Sequence, residues 1–145
     1  MKISTKGRYG LRTLMDIARH QESGAVTLHE IAARQKISVK YLWQVINPLK
    51  TAGLLRVTRG AKGGYTLARA PEQITLFEVI STLEGSLSPV ECLANKGCCD
   101  QQNVCVAQSV WLDVYQAIEK TLKGITLETI LTRQRETTQV NNYSI

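Results

Sequence analysis

The sequence predicts a mainly α-helical chain with one small β-hairpin: a winged helix-turn-helix unit followed by a long C-terminal dimerisation helix. Three observations carry this. Apolar residues recur at helical spacing in segments that open on Ser or Thr caps. Two β-prone runs within 54–68 flank a Gly-rich tip. The excess of positive charge is confined to the front of the chain. Residues 1–70 hold six Lys and seven Arg against Asp16, Glu22 and Glu30, whereas residues 71–145 hold five basic and nine acidic residues. A basic front joined to a mildly acidic back suggests a polyanion-binding module and a second segment with another task. A solvated basic surface is the plainer alternative.

Taken in order, Ser4 or Thr5 caps a first helix with Leu11, Leu14, Met15 and Ala18 on one face. Glu22-Ser23-Gly24 ends it. Thr27-Leu28-His29-Glu30 has the form of a capping box and opens a helix to about Gln35 that buries Leu28, Ile31 and Ala32. Lys36-Ile37-Ser38 makes a tight turn, and Ser38 caps a third helix from Val39 towards Ala52, with Gly53 after its end. Val39, Leu42, Val45, Ile46 and Leu49 form its apolar stripe. Lys40, Gln44 and Asn47 lie opposite, flanked by Tyr41 and Trp43. Pro48 lacks an amide, so a kink or an early end is expected there.

Two short helices joined by a three-residue turn match a helix-turn-helix. One face packs on the domain. The other enters a major groove about 12 Å wide, where Gln pairs with adenine and Lys donates to guanine or phosphate. An ordinary helical hairpin with a polar outside is the alternative. The 54–68 hairpin that follows then reads as a wing. Arg59 and Lys62 at its tip can reach phosphates or a narrow minor groove, and Gly60 lets the backbone come close. The expected DNA contacts are Ser38, Lys40, Tyr41, Trp43, Gln44, Arg59, Gly60 and Lys62 of a winged helix-turn-helix domain spanning residues 1–70.

Pro71 marks a boundary to a second unit, 71–145. Thr75 and Glu78 repeat the capping box and open a helix to about Leu83. Residues 85–105 read as a loop, and loops of that length usually carry function. All four cysteines lie there: Cys92, Cys98, Cys99 and Cys105. Their gaps of five or six residues do not match the close pairs of zinc sites or the ferredoxin runs. A wide thiolate loop can still wrap an iron–sulfur cluster; zinc or a bare thiol switch are the other readings. Residues 106–123 form a helix with Ala107, Val110, Trp111, Val114, Ile118 and Leu122 on one stripe. It reads as a core helix or, better, as a homodimer helix, since two-fold proteins read palindromic operators. Thr126 caps a last helix to about Gln134, and a polar tail from Arg135 to Ile145 is expected to be mobile.

Several classes fall away. With 43% hydrophobic and 21% charged residues, general disorder is not expected. No apolar run approaches the ~20 residues that span a bilayer. The first ten residues have no apolar signal core, so a cytoplasmic chain with reduced thiols and no membrane partner is expected. No Ser/His/Asp set or phosphate loop supports catalysis. His20 and His29 fall in the front half and read as helix-capping or solvated groups.

Together these segments resemble the IscR-type winged-helix regulators, the group of IscR, NsrR and CymR. The resemblance rests on Met1–Gly10, on Ile37-Ser38-Val39-Lys40-Tyr41-Leu42 and on Arg59-Gly60-Ala61-Lys62-Gly63-Gly64-Tyr65. Ile74–Ile80 and the cysteine loop running into Trp111 complete it. It covers nearly the whole chain. It implies a dimeric, non-enzymatic transcription regulator, a repressor in the usual case, that binds double-stranded DNA. It also implies that an iron–sulfur cluster of the 2Fe–2S kind on three cysteines controls operator choice. Two positions depart from the pattern. Gln108 stands where IscR-type proteins carry a fourth-ligand His, and Arg8 where NsrR-type proteins carry an Asp. The fourth ligand is left to the extra cysteine of the Cys98-Cys99 pair or to Asp100. Trp43 replaces an acidic residue that helps IscR discriminate operators, which implies a different base preference. A same-fold regulator with zinc or no metal, sensing a thiol metabolite or redox state, and a small iron–sulfur electron carrier are the competing functions.

Overall fold

The computed structural model describes residues 1–143. Its elements, in chain order, are α1 (Thr5–His20), α2 (Leu28–Gln35), α3 (Val39–Thr51), β1 (Leu55–Thr58), β2 (Gly64–Leu67), α4 (Leu76–Glu84), α5 (Glu91–Ala94), α6 (Val106–Lys123) and α7 (Leu127–Tyr143). Single 3-10 turns at Gln21–Ser23 and Pro71–Gln73 join α1 to α2 and β2 to α4. The expected fold class, mainly helical with a two-stranded wing, is what the chain adopts.

The local rules act where the residues place them. The Ser4 hydroxyl accepts the Gly7 N–H at 3.3 Å and starts α1. Thr27 and Glu30 form both halves of a capping box on α2, and Thr75 and Glu78 do the same on α4. Ser38 Oγ accepts the Tyr41 N–H at 3.1 Å and starts α3. The turn between α2 and α3 needs Lys36 at φ +55°, a left-handed residue that ends α2 sharply. Behind α3, Gly53 has φ +77°. Its N–H bonds Lys50 O, and the Leu54 N–H bonds Leu49 O, which makes a Schellman end.

One apolar core runs through the chain. Leu14, Ile17, Ile31, Leu42, Val45, Ile46, Leu49 and Leu54 are at most 1% exposed, and so are Ile74, Val79 and Leu127 from beyond Pro71. Each such side chain contributes about 1.5–3 kcal/mol relative to exposure. The boundary expected at Pro71 is therefore not a gap in the packing. The base of α7 docks through Leu127 and Leu131, and the α6–α7 turn pairs with the start of α4 through Leu76 N–Ile125 O and Leu127 N–Ile74 O. Residues Gly7 and Gly10 let α1 meet α4 closely. A Cβ at Gly7 would run into Glu84 Oε1, and one at Gly10 into Leu83.

Four expectations need correction. The early end that Pro48 could have imposed does not occur, since α3 continues to Thr51. It is in the last turn, where few intrahelical bonds remain to be lost, and only the carbonyl of Gln44 goes without its partner. Residues 85–105 are not loop throughout, because Glu91–Ala94 form one helical turn. Leu28 is half-buried rather than core. The tail from Arg135 is helical to Tyr143. No Gly or Pro interrupts it, the Thr137 and Thr138 hydroxyls bond back to Arg133 O and Gln134 O, and Arg135 pairs with Glu128 at 2.6 Å. Ser144 and Ile145, the end of that expected tail, lie outside the described residues.

A candidate nucleic-acid interface and an exposed cysteine loop

Helix α3 has two faces. Leu42, Val45, Ile46 and Leu49 are fully buried. Lys40, Gln44 and Asn47 are exposed on the other side, and Trp43 leaves 45% of its surface open. Tyr41 is half-buried. Its ring meets Tyr9 of α1 edge-on, with centroids 5.6 Å apart. Ser38 is exposed, but its hydroxyl is already engaged as the cap. The outward residues are thus a cation, two amides and an indole on a rigid helix, a set suited to the donor and acceptor edges of bases.

The hairpin next to α3 is antiparallel, with Leu55 opposite Leu67 and Thr58 opposite Gly64. Arg59, Gly60 and Lys62 are exposed at its tip. Gly60 has φ +109°, and Gly63 has no room for a Cβ against Thr58 O. Sequence reasoning missed the anchor at its base. Val26, just before α2, exchanges two backbone hydrogen bonds with Tyr65 (2.9 and 2.7 Å), and Gln21 Oε1 accepts the Leu67 N–H at 2.8 Å. A single β-branched residue between Gly24 and a cap leaves little trace in a sequence.

A second missed feature fixes α2 against α1. Asp16 of α1 is only 2% exposed. Arg34 of α2 donates to it from Nη2 (2.7 Å) and Nε (3.0 Å), and Gln35 Nε2 donates at 2.8 Å. Burial pushes the Asp16 carboxyl up. The bonds from Arg34 and Gln35 and the charges of Arg34 and His20 outweigh it and hold the group below its ordinary value. Arg12 completes the link, bonding Gln35 O at 2.7 Å and stacking 5.1 Å from the Tyr9 ring. The sequence carried little signal for it: Asp16 lies away from the Leu11, Leu14, Met15 and Ala18 face, and it is covered only because Arg34 and Gln35 of α2 close over it.

The cysteines are all free. Cys92 lies in α5 and Cys105 directly before α6, both half-buried; Cys98 and Cys99 are exposed between them. The Cys98 thiol is raised above its ordinary value by loss of hydration and by its neighbours Cys92, Glu91 and Cys99. Since Cys98 is exposed, the negative neighbours are the cause that agrees with its position. Soft thiols in one loop suit a soft metal centre. Among the described residues, however, no three His, Cys, Asp or Glu side chains are gathered to hold a metal ion. Gln108 lines a shallow recess with Leu93, Cys105 and Leu112. Arg8 is exposed and bonds Thr5.

Helix α6 has no buried residue. Val110, Trp111, Leu112 and Val114 are 40–51% exposed. Among the described residues, no helix is long and apolar enough to cross a membrane.

Comparison with known proteins agrees with this architecture. Residues 3–133 match the Rrf2 family model, described as an iron-dependent transcriptional regulator. Protein rrf2 of Nitratidesulfovibrio vulgaris is 40% identical over 131 residues, covering 90% of this chain and 87% of that one. The regulator CymR of Bacillus subtilis is 39% identical over 128 residues, covering 88% of each. The solved structure of IscR from T. potens superposes with a TM-score of 0.76 at 41% identity, covering 94% of this chain and 90% of that one. These relatives are transcriptional regulators and not enzymes. On the match of 131 residues, the two-faced third helix and the wing beside it, the chain belongs to the Rrf2 family of transcriptional regulators.

Proposed function

We propose that the chain is a cytoplasmic, homodimeric repressor that reads a palindromic operator and is controlled through its cysteine loop by an iron–sulfur cluster, of the 2Fe–2S kind. One observation carries the DNA-reading part: α3 buries one face completely and leaves Lys40, Trp43 and Gln44 open beside a wing that exposes Arg59, Gly60 and Lys62. Ser38 and Tyr41 set the start and tilt of that helix. The open stripe of α6 is the surface for the second copy. The organisation is a DNA-reading unit, 1–70, and a sensing and dimerising unit, 71–145.

Cys92, Cys105 and one or both of Cys98 and Cys99 would hold the cluster. The donor set fits a soft metal, all four thiols are free, and they occupy one short loop. When bound, a cluster supplies iron–thiolate bonds that tie the ends of the loop together. Cys105 is adjacent to α6 and Cys92 belongs to α5, which packs on α6, so fixing these two thiols fixes the start of the dimer helix. Regulation is then a coupling free energy: the loop state and the operator favour the same arrangement of the heads.

A second reading has support of its own. Gln108 and Arg8 at the family's ligand positions, and cysteines not gathered around a centre, suit a regulator that senses thiol state with zinc or no metal. Family membership sets aside the electron carrier. Anaerobic purification with a visible spectrum and iron and sulfide assays separates the two readings. Stoichiometric iron and sulfide are expected; a colourless protein whose operator affinity follows thiol oxidation would replace the cluster with the second reading. Gel shifts at fixed salt test the interface. Arg59→Ala and Gln44→Ala are expected to weaken binding, with the Arg59 change also lowering the salt slope by about one.

A further inference from the structure

Helix α4 packs against both α1 and α6, and it ends at Glu84, one residue before the chain turns into the cysteine loop at Gly85, φ +81°. Glu84 reaches 80 residues back along the sequence. Its Oε1 accepts the Ser4 N–H at 2.8 Å and the Ser4 hydroxyl at 2.6 Å. Ser4 is the cap of α1, so the carboxylate grips the starting point of that helix. The grip is close enough that a Cβ on Gly7 would collide with the same oxygen. From this end, α1 leads directly into the contacts that aim the reading helices. Tyr9 meets Tyr41 of α3, Arg12 bonds Gln35 O of α2, and Asp16 holds Arg34.

We propose that Glu84 is a positioning residue that couples the cysteine loop to the DNA-reading helices by holding or releasing Ser4 at the start of α1. This rests on the loop-controlled reading above. The physical reason is geometric. A carboxylate at the last residue of α4 moves with the first residues of the loop, because no spacer separates them. Ser4 is only five residues from Tyr9, and a rigid helix transmits a shift at its end to its side chains. Glu84 is neither one of the proposed DNA contacts nor one of the proposed ligands of the cluster.

The test measures operator affinity in two loop states, using a duplex selected from random sequence by the wild-type protein. The states are cluster-bearing and cluster-free; if no cluster loads, they are free-thiol and N-ethylmaleimide-alkylated protein. Couplings of this type change affinity about 5- to 150-fold between states. Glu84→Ala is expected to bring the ratio of the two affinities close to one, with iron, sulfide and thiol content unchanged. Glu84→Gln keeps an acceptor for both Ser4 bonds and is expected to retain most of the ratio. Ser4→Asp keeps a good cap for α1 while setting two carboxylates against each other. It should abolish the ratio too, and the double change Ser4→Asp with Glu84→Gln should recover it. Because Ser4→Asp preserves the cap, it gives an answer even if Glu84→Ala unfolds. A wild-type ratio kept by Glu84→Ala or by Ser4→Asp overturns this inference alone. A wild-type protein with identical affinity in both states overturns the loop-controlled reading and this inference with it.

Discussion

Helices α3 and α6 have similar apolar periodicity and opposite fates. In α3 every stripe residue from Leu42 to Leu49 is fully covered within one chain. In α6, eighteen residues long, none is. The head is a finished object, with its helix capped at both ends and its outer face free for a partner of a different kind. The arm is unfinished: Trp111 with Val110 and Val114 forms an open apolar strip of the sort that marks an interaction surface. An amphipathic pattern therefore states that a helix needs cover. It does not state what provides it.

That contrast can be broken in order of size. Ile46→Ala should cost the head about 2–5 kcal/mol in urea unfolding, because the cavity it leaves is closed on all sides. Arg34→Ala should cost roughly 3 kcal/mol by leaving the Asp16 carboxylate buried with its main partner gone. The same carboxylate gives a pH signature. Its folded value lies below the ordinary 3.8, so its stabilisation is complete above that pH and is lost as pH falls through the folded value. Asp16→Asn should flatten that acid limb while lowering stability near neutrality. Thr27→Ala, which opens one capping box, should cost about 1 kcal/mol. Val110→Ala should change the unfolding of the dilute chain by less than about 0.5 kcal/mol, yet weaken self-association in sedimentation. A large monomer cost for Val110→Ala would show that α6 is core after all and erase the distinction between head and arm.

Much of the fold was legible because its signals are local. Ser4, Thr27, Ser38 and Thr75 each announce a helix within four residues, and the glycines of 60–64 announce a turn. The features that escaped depend on residues far apart. Val26 finds Tyr65, Asp16 finds Arg34, and Ser4 finds Glu84 only after the chain has closed on itself. The extension of α7 escaped for another reason: its polar composition resembles a tail, and only the absence of Gly and Pro spoke for a helix. Of the candidate sites, the exposed row on α3 could be read from periodicity. The cysteine loop could be read only as chemistry, since spacing fixes which atoms are available and not how they meet.

The pairing of Val26 with Tyr65 has a consequence for what the wing can tolerate. A free hairpin would swing, and its tip would follow whatever surface it met. Clamped at the base by Val26 and Gln21, the tip stands at a set offset from α3. If α3 enters one groove as proposed, the duplex would present its neighbouring groove to a gauge of fixed span. Stretches that are naturally narrow at that phase fit without distortion, and others must be bent to fit. A single valine before α2 thus turns the hairpin from a feeler into a calliper.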